Sequence, residues 1–488
     1  MAGVGNRVAI LTLSRMANYG LMLISPVILV RLLSIAQFGR YREFLLYVSV
    51  LQAIAVFSIN QSVLYCIPAH PESRWRTVRQ TAVLIGCSSL ITVGVVAVLD
   101  RASGGRILGP LLLPICLYVL FCSNLDFWDY FWVATDRPGL LFAYSSFRLA
   151  ARVAVAIVTA LMTHDVRAII WALIACEGVR LLVAAVVMRV KDRSAAEPPL
   201  PEPWREQIRY CLPSGTASVL VTAKSNLSGI VVAKALGAVA FARYSVGKFG
   251  DPVVITLRSS ISSVILPEMV ERGRSSRADP LALWRRATVV NTILLFPVVV
   301  VVVRFALPLV ETVFGRSYAP AALVLQIYML GVVRECFDFA PALRATNRTR
   351  PLVGSNLAAL AVCALMLAIV IPAGGGIAGA MAAVVASMLA DAVWLGRATM
   401  RHFRVSFGEL VPWANIGRVA AAAALAAAVL APSAWIDTFG AGGMVLGSGA
   451  YLALFVLLLL AFKIPEAYAL LAWARRLIPA RAAASRKA

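Results

Sequence analysis

Arg15, Arg148, Arg152, Arg180, Lys224, Arg258 and Arg334 stand inside stretches otherwise apolar enough to cross a membrane. An ionised side chain at the centre of a bilayer costs at least about 2.5 kcal/mol, so such groups face a bundle interior or a watery cavity and mark a pathway. Cations so placed suit an anionic ligand. A guanidinium is a planar fork that grips two phosphate oxygens at once, whereas an ammonium is a compact point charge. Carboxylates accompany them: Asp126, Asp129, Glu177, Asp251, Glu335, Asp338 and Asp391. These can neutralise the cations by pairing, or can bind a driving proton or sodium ion.

The elements that position these groups are membrane helices. Of 488 residues, 61% are hydrophobic and 14% charged, and the mean hydropathy is +0.84. A soluble domain is nearer half apolar and a quarter charged. Taking about 20 apolar residues per span, roughly fourteen spans are expected, at 8–33, 43–67, 78–99, 107–134, 140–162, 166–190, 208–236, 243–267, 286–310, 320–345, 351–372, 377–400, 412–431 and 441–463. The first is too long for the apolar core of a secretory signal and lacks a small-residue cleavage site. An even count puts both termini on one side. Of the 46 Lys and Arg, 28 fall on that side, 11 on the other and seven inside spans. The positive-inside bias therefore predicts cytoplasmic termini. Clustering of the cations at span ends argues against nucleic acid as the partner of the +23 net charge, and points to anionic membrane lipids at the cytoplasmic face.

Eight cysteines include no C-x-x-C pair, and His70, His164 and His402 fall near loops. No metal or cofactor is expected from that distribution. Trp128, Tyr130, Phe131 and Trp132 read as an interfacial aromatic belt.

The sequence repeats itself. Arg31–Tyr41, R-L-L-S-I-A-Q-F-G-R-Y, returns as Lys234–Tyr244, K-A-L-G-A-V-A-F-A-R-Y. Asp126-Phe127 returns as Asp338-Phe339, Ala134-Thr135-Asp136-Arg137 as Ala345-Thr346-Asn347-Arg348, and Met188-Arg189 as Met400-Arg401. The fold class expected is all-α and polytopic: two six-helix lobes related by a pseudo-twofold along the membrane normal, plus two C-terminal helices, about 14 transmembrane helices in all. The divisions are residues 1–190 for the first lobe, 191–207 for a proline-rich cytoplasmic linker, 208–401 for the second lobe, and 402–488 for the extra helix pair and basic tail.

This layout, with the pattern carried by Leu32, Leu33, Phe38, Gly39 and Tyr41, resembles the polysaccharide-transporter branch of the MOP flippase superfamily, the Wzx-type lipid-linked oligosaccharide flippases. The resemblance covers spans one to twelve. It implies that spans one, two, seven and eight line a central cavity, and hence that Arg15, Asn18, Lys224, Arg258 and Asp251 contact substrate. Arg15 and Asn18 share a stripe at helical spacing, and Asp251 and Arg258, seven apart, share a face. Against that stand two plainer readings, that Arg15 snorkels to the cytoplasmic surface and that Arg258 pairs with Asp251. Pro26, Pro213 and Pro252 are expected to interrupt these helices.

The function implied is translocation of a polyprenyl-diphosphate-linked glycan by alternating access, with the polysaccharide polymerase machinery as a further partner. Asp126, Asp129, Arg148, Arg152, Glu177, Arg180, Arg334, Glu335, Asp338 and Asp391 are assigned to ion coupling or to charge pairing within and between lobes. Under the repeat, Arg180 coincides with Asp391. The rivals are a lipid II flippase, which shares the fourteen-span count, and a MATE-like exporter, whose cationic cargo would call for an acidic cavity. A membrane glycosyltransferase or polymerase fits less well. Such enzymes generally need a large outer loop bearing catalytic groups, and here the outer connections are short.

Overall fold

The computed structural model describes residues 20, 23–194, 203–274, 280–428 and 440–472, and every element among them is helical. Ten of these helices are long and apolar enough to cross a membrane. The chain divides into two compact units, Met1–Ser245 and Val246–Ala488.

The first unit contains α1 (Leu23–Leu32), α2 (Ile35–Val56), α3 (Ile59–Ala69), α4 (Arg74–Ala102), α5 (Leu112–Ser123), α6 (Phe127–Ala134), α7 (Pro138–Thr163), α8 (Val166–Ser194) and nearly all of α9 (Pro203–Gly247). Apolar runs that read as single spans are pairs of helices joined by short breaks. The run 43–67 breaks at Phe57 and Ser58, which both have positive φ, 43° and 57°. The run 107–134 breaks between Ser123 and Phe127.

The duplicated Arg31–Tyr41 and Lys234–Tyr244 segments break alike. Ser34 leaves helical geometry to cap α2, accepting from Gln37 N at 3.3 Å while the Gln37 side chain accepts from Ser34 N at 3.1 Å. Gly237 interrupts α9 with φ 82°. The two segments also meet, since a Cβ added at Gly39 would lie 2.0 Å from the Ala238 carbonyl oxygen.

The prolines do not mark these breaks. Pro26 lies within α1 and Pro213 within α9. A membrane bundle can re-satisfy the carbonyl that a proline frees. Pro252 is the second residue of its helix, where the missing N–H has no intrahelical partner to lose. The aromatic segment differs too. Phe127, Trp128 and Phe131 are buried in the core with Ile59, Val63 and Ile85, and Trp75 packs beside them. Phe131 and Trp132 meet edge to face at 5.0 Å. Because α6 is short and packs along α3 and α4, its rings turn inward where a continuous span would have carried them to the interface.

The second unit contains α10 (Asp251–Arg274), α11 (Pro280–Arg304), α12 (Ala306–Phe314), α13 (Ala321–Val332), α14 (Ala340–Ala345), α15 (Arg350–Val370), α16 (Gly376–Phe403), α17 (Phe407–Leu410), α18 (Trp413–Ala427) and α19 (Gly440–Ala461). It repeats the broken span of the first unit. The run 320–345 passes from α13 through a 3-10 turn at Val333–Cys336 and resumes at α14. The turns that follow close with the same backbone bond. Arg137 N donates to Trp132 O at 2.9 Å, and Arg348 N donates to Leu343 O at 2.8 Å. Asp136 and Asn347 sit at φ 54° and 55°, a left-handed geometry that Asp and Asn tolerate. The final pair, α18 and α19, is integral to this unit. Small Ala422, Ala423 and Ala426 let α18 approach Tyr451 and Phe455 of α19 and Val289 and Ile293 of α11. Close approach of small residues is how helices associate where lipid removes the hydrophobic drive.

The contact at Gly39 generates a test. Gly39→Ala should cost about 1–3 kcal/mol through overpacking against backbone that cannot yield, whereas Gly94, where an added Cβ would meet nothing within 4 Å, should accept alanine without loss. Thermal denaturation of the two purified variants checks this; equal midpoints would refute the close approach of the duplicated segments.

Candidate functional site

Within the first unit the structure gathers six of the charged residues into one network. It begins at the helix break before α6. Asp126 accepts from Gln52 Nε2 at 2.5 Å, and Arg148 of α7 reaches Asp129 at 2.6 Å and Asp126 at 3.9 Å. One turn along α7, Arg152 donates Nε–H to Glu177 of α8 at 2.5 Å and contacts Cys122 Sγ at 2.8 Å. Arg180, three residues after Glu177, binds the other oxygen of the same carboxylate and donates to Tyr144 Oη at 3.0 Å. Glu177 is 0% exposed. Three guanidiniums meet three carboxylates, so the formal charge of this network closes. Closure is what a low-dielectric interior demands, because a buried charge is tolerated only when paired and hydrogen-bonded.

The second unit has a different balance. Arg258 of α10 binds Glu335 at 3.0 Å and lies 4.0 Å from Asp338. Arg334 binds the other oxygen of Glu335 at 3.0 Å and also binds Asp391 of α16. Asp338 accepts from Ser262 Oγ at 2.8 Å and from Ala340 N at 3.2 Å. Here two guanidiniums meet three carboxyl groups, so the formal charge does not close and leaves one acid in excess.

Asp251 stands apart from these pairs and accepts from Tyr328 Oη. The expected pairing of Arg258 with Asp251 is therefore replaced. Seven residues are about 10 Å along a helix axis, and the carboxylates presented by the break after α13 are closer. Arg180 and Asp391, equivalent under the repeat, likewise take separate partners, Glu177 and Arg334. Lys224 lies half-buried on α9 in the first unit, whereas Arg258 belongs to the second. Arg15 and Asn18 lie outside the described residues.

Several polar partners carry no signal of their own in the sequence. Gln52 and Tyr328 come from helices far along the chain. Tyr144 alone is within reach of a spacing argument, since it stands one turn before Arg148 on α7 and its ring lies 5.8 Å from both the Arg148 and Arg180 guanidiniums. Among the described residues no group of His, Cys, Asp and Glu is arranged to hold a metal ion, and all eight cysteines are free.

Breaking a buried pair by removing one partner costs about 3–5 kcal/mol, while replacing a whole triad by apolar side chains of similar volume is often neutral. Glu177→Gln should accordingly lower the thermal midpoint and yield of the purified protein sharply. The combined replacement Arg152→Met, Glu177→Leu, Arg180→Met should recover most of the loss. An unaltered midpoint in the single variant would show that the carboxylate does not bear the two guanidiniums.

The family described as polysaccharide biosynthesis protein matches residues 28–323. No curated protein matches the chain significantly. Among solved structures, the fold is similar to the lipid II flippase MurJ in its inward closed conformation, with a TM-score of 0.67 at 10% identity over 92% of this chain and 97% of that one. It is similar to an inward-facing multidrug resistance MATE family transporter of the MOP superfamily, with a TM-score of 0.56 at 14% identity over 80% and 96%. A MOP superfamily transporter from Pyrococcus furiosus, described by the reverse polarity of its binding pocket, gives 0.54 at 15% identity over 81% and 95%.

Proposed function

The chain belongs to the polysaccharide biosynthesis protein family of the MOP flippase superfamily, and from that premise we propose that it is a flippase for a polyprenyl-diphosphate-linked oligosaccharide. The cargo passes from the cytoplasmic to the periplasmic leaflet of a bacterial inner membrane, for O-antigen, capsule or exopolysaccharide synthesis. The observation that carries this reading is the family match across residues 28–323, which takes in every described intramembrane charge of the first unit and Arg258 of the second. The protein acts by binding and conformational change, with no catalytic residue assigned.

Lys224 and Arg258 are proposed to hold the diphosphate, together with Arg15 and Asn18, and Asp251 shapes the same site. Arg258 can take a phosphate only by loosening its bonds to Glu335 and Asp338. That exchange leaves carboxyl groups short of positive partners inside the second unit, where acids already outnumber guanidiniums three to two. A proton or sodium ion taken up there restores the balance. The proposal therefore couples cargo binding to cation uptake at Glu335 and Asp338. The balanced network of Asp126, Asp129, Arg148, Arg152, Glu177 and Arg180 is assigned to holding the first unit together.

One observation favours a second reading. The likeness to the lipid II flippase extends over 92% of the chain, against 80–82% for the MATE transporters, so lipid II is the rival cargo. Two complementation experiments separate them. The chain should restore surface glycan in a strain lacking its own lipid-linked oligosaccharide flippase, and should not rescue depletion of the lipid II flippase; the reverse pattern would move the assignment to lipid II.

For the site itself, joint replacement Lys224→Gln and Arg258→Gln should reduce export to the vector background at unchanged protein level, while Arg258→Lys retains folding and part of the activity. Normal export by the double variant would remove these residues from the cargo site. Transport into proteoliposomes should depend on an imposed proton or sodium gradient, and Asp338→Asn should abolish that dependence because an amide mimics the neutral acid. An identical gradient response in Asp338→Asn would overturn the coupling.

A further inference from the structure

The end of the second unit carries a groove of about 920 Å³ along α15 and α16. Arg348, Arg397, Arg401 and Arg404 line it, with Val393 and Trp394 below them. Arg397 and Arg401 are one turn apart and so share one side of α16. Arg404 follows as the C-terminal cap of that helix, and Arg348 enters from the turn before α15. Among the described residues none of the four forms an ion pair with a carboxylate. This contrasts with Arg148, Arg152, Arg180, Arg258 and Arg334, each of which is matched to an acid. Arginines in the last turn of a helix offset its macrodipole, but that effect calls for no contribution from Arg348 on another element.

The groove is two-natured. Trp394 lies against α15 at Gly354, where a Cβ would stand 2.9 Å from the ring, yet the residue remains 47% exposed. Val353, Leu357, Leu389 and Val393 continue an exposed apolar surface over the same two helices. A cationic head above an apolar wall fits an amphiphile whose anionic group sits at the helix ends and whose chains run along the span. Basic pockets between transmembrane helices recognise anionic lipid headgroups in this way.

We propose that this groove is a binding site for an anionic phospholipid, its phosphate held by Arg348, Arg397, Arg401 and Arg404 and its acyl chains laid over Trp394 and Val393. The occupant is a resident lipid and not the cargo: the groove's lining shares no residue with the proposed cargo site at Arg15, Asn18, Lys224, Asp251 and Arg258. The inference rests on the membrane placement of α15 and α16 and is independent of which glycan is carried.

The test uses the full-length protein purified in mild detergent, with retained lipid read by native mass spectrometry. Phosphatidylglycerol should be held as one preferred equivalent, at least about tenfold more tightly than zwitterionic phosphatidylcholine. The joint replacement Arg397→Gln, Arg401→Gln, Arg404→Gln should lose that preference, and Arg397→Gln or Arg401→Gln alone should weaken it severalfold, which covers the case in which the triple variant fails to fold. Arg205→Gln with Arg209→Gln, removing exposed charge elsewhere, should leave it unchanged. Equal retention of phosphatidylcholine, equal loss in the Arg205 and Arg209 control, displacement by millimolar inorganic phosphate, or displacement by one equivalent of polyprenyl diphosphate would each overturn the proposal. Glycan export by the same variants is a separate measurement, so failure of the lipid site and failure of the flippase reading are distinguishable.

Discussion

A charge removed from water must find its opposite, and that requirement organises both units. Glu177 shows it most plainly. Its two oxygens serve two different arginines, Arg152 and Arg180, from a position with no exposure to solvent. Solvation lost by three ionised groups is replaced by bonds among them and by Tyr144 and Cys122. Helices α7 and α8 are thereby fixed in register as well as in contact, because a shift of one turn would strand a guanidinium. Apolar packing in a bilayer gives no comparable preference, since lipid tails are as apolar as the side chains they would replace.

The same requirement explains why the networks sit beside helix breaks. A break frees backbone N–H and C=O groups at membrane depth, which is tolerated only where protein or a polar cavity satisfies them. Asp126 stands at the break before α6, and Asp338 at the break between α13 and α14. Asp338 meets both demands, accepting from the freed Ala340 N–H with one oxygen while the other approaches Arg258. Backbone irregularity and side-chain charge therefore coincide once in each unit, and of the two aspartates Asp338 also accepts from a backbone N–H. The duplicated Asp-Phe pairs in the sequence are the trace of that coincidence.

That trace explains how much could be read in advance. The repeats at Asp126 and Asp338, and at Thr135 and Thr346, are visible because they are local: each encodes a turn closed within six residues. Membrane spans are visible because bilayer thickness imposes a length of apolar chain. The partners of Arg258, Arg334 and Asp391 are not, because their choice depends on how α10, α13 and α16 lie against one another. The break at Phe57 is hidden for a related reason. Neither Phe nor Ser favours positive φ, and the geometry is held by α9, where Gly215 leaves room for the Phe57 ring and carbonyl. The inward turn of Trp128 and Phe131 follows from the break before α6, which aromatic composition alone does not reveal.

The two networks differ in one respect that bears on transport. The first closes at three against three, and a closed network resists change, because moving any member exposes an unpaired charge. The second holds Glu335 between Arg258 and Arg334 and leaves one acid in excess. Under the proposed coupling, such a network is completed either by a small cation or by rearranged arginine contacts. A ligand can shift an equilibrium only by the difference in its affinity for the two states. An anion that competes for Arg258 has such a difference, since it is favoured where the carboxylates are satisfied otherwise. Under the proposed transport cycle, the imbalance in the second unit is what lets an anionic cargo and a cation be felt by the same residues, while the balanced first unit provides the fixed frame.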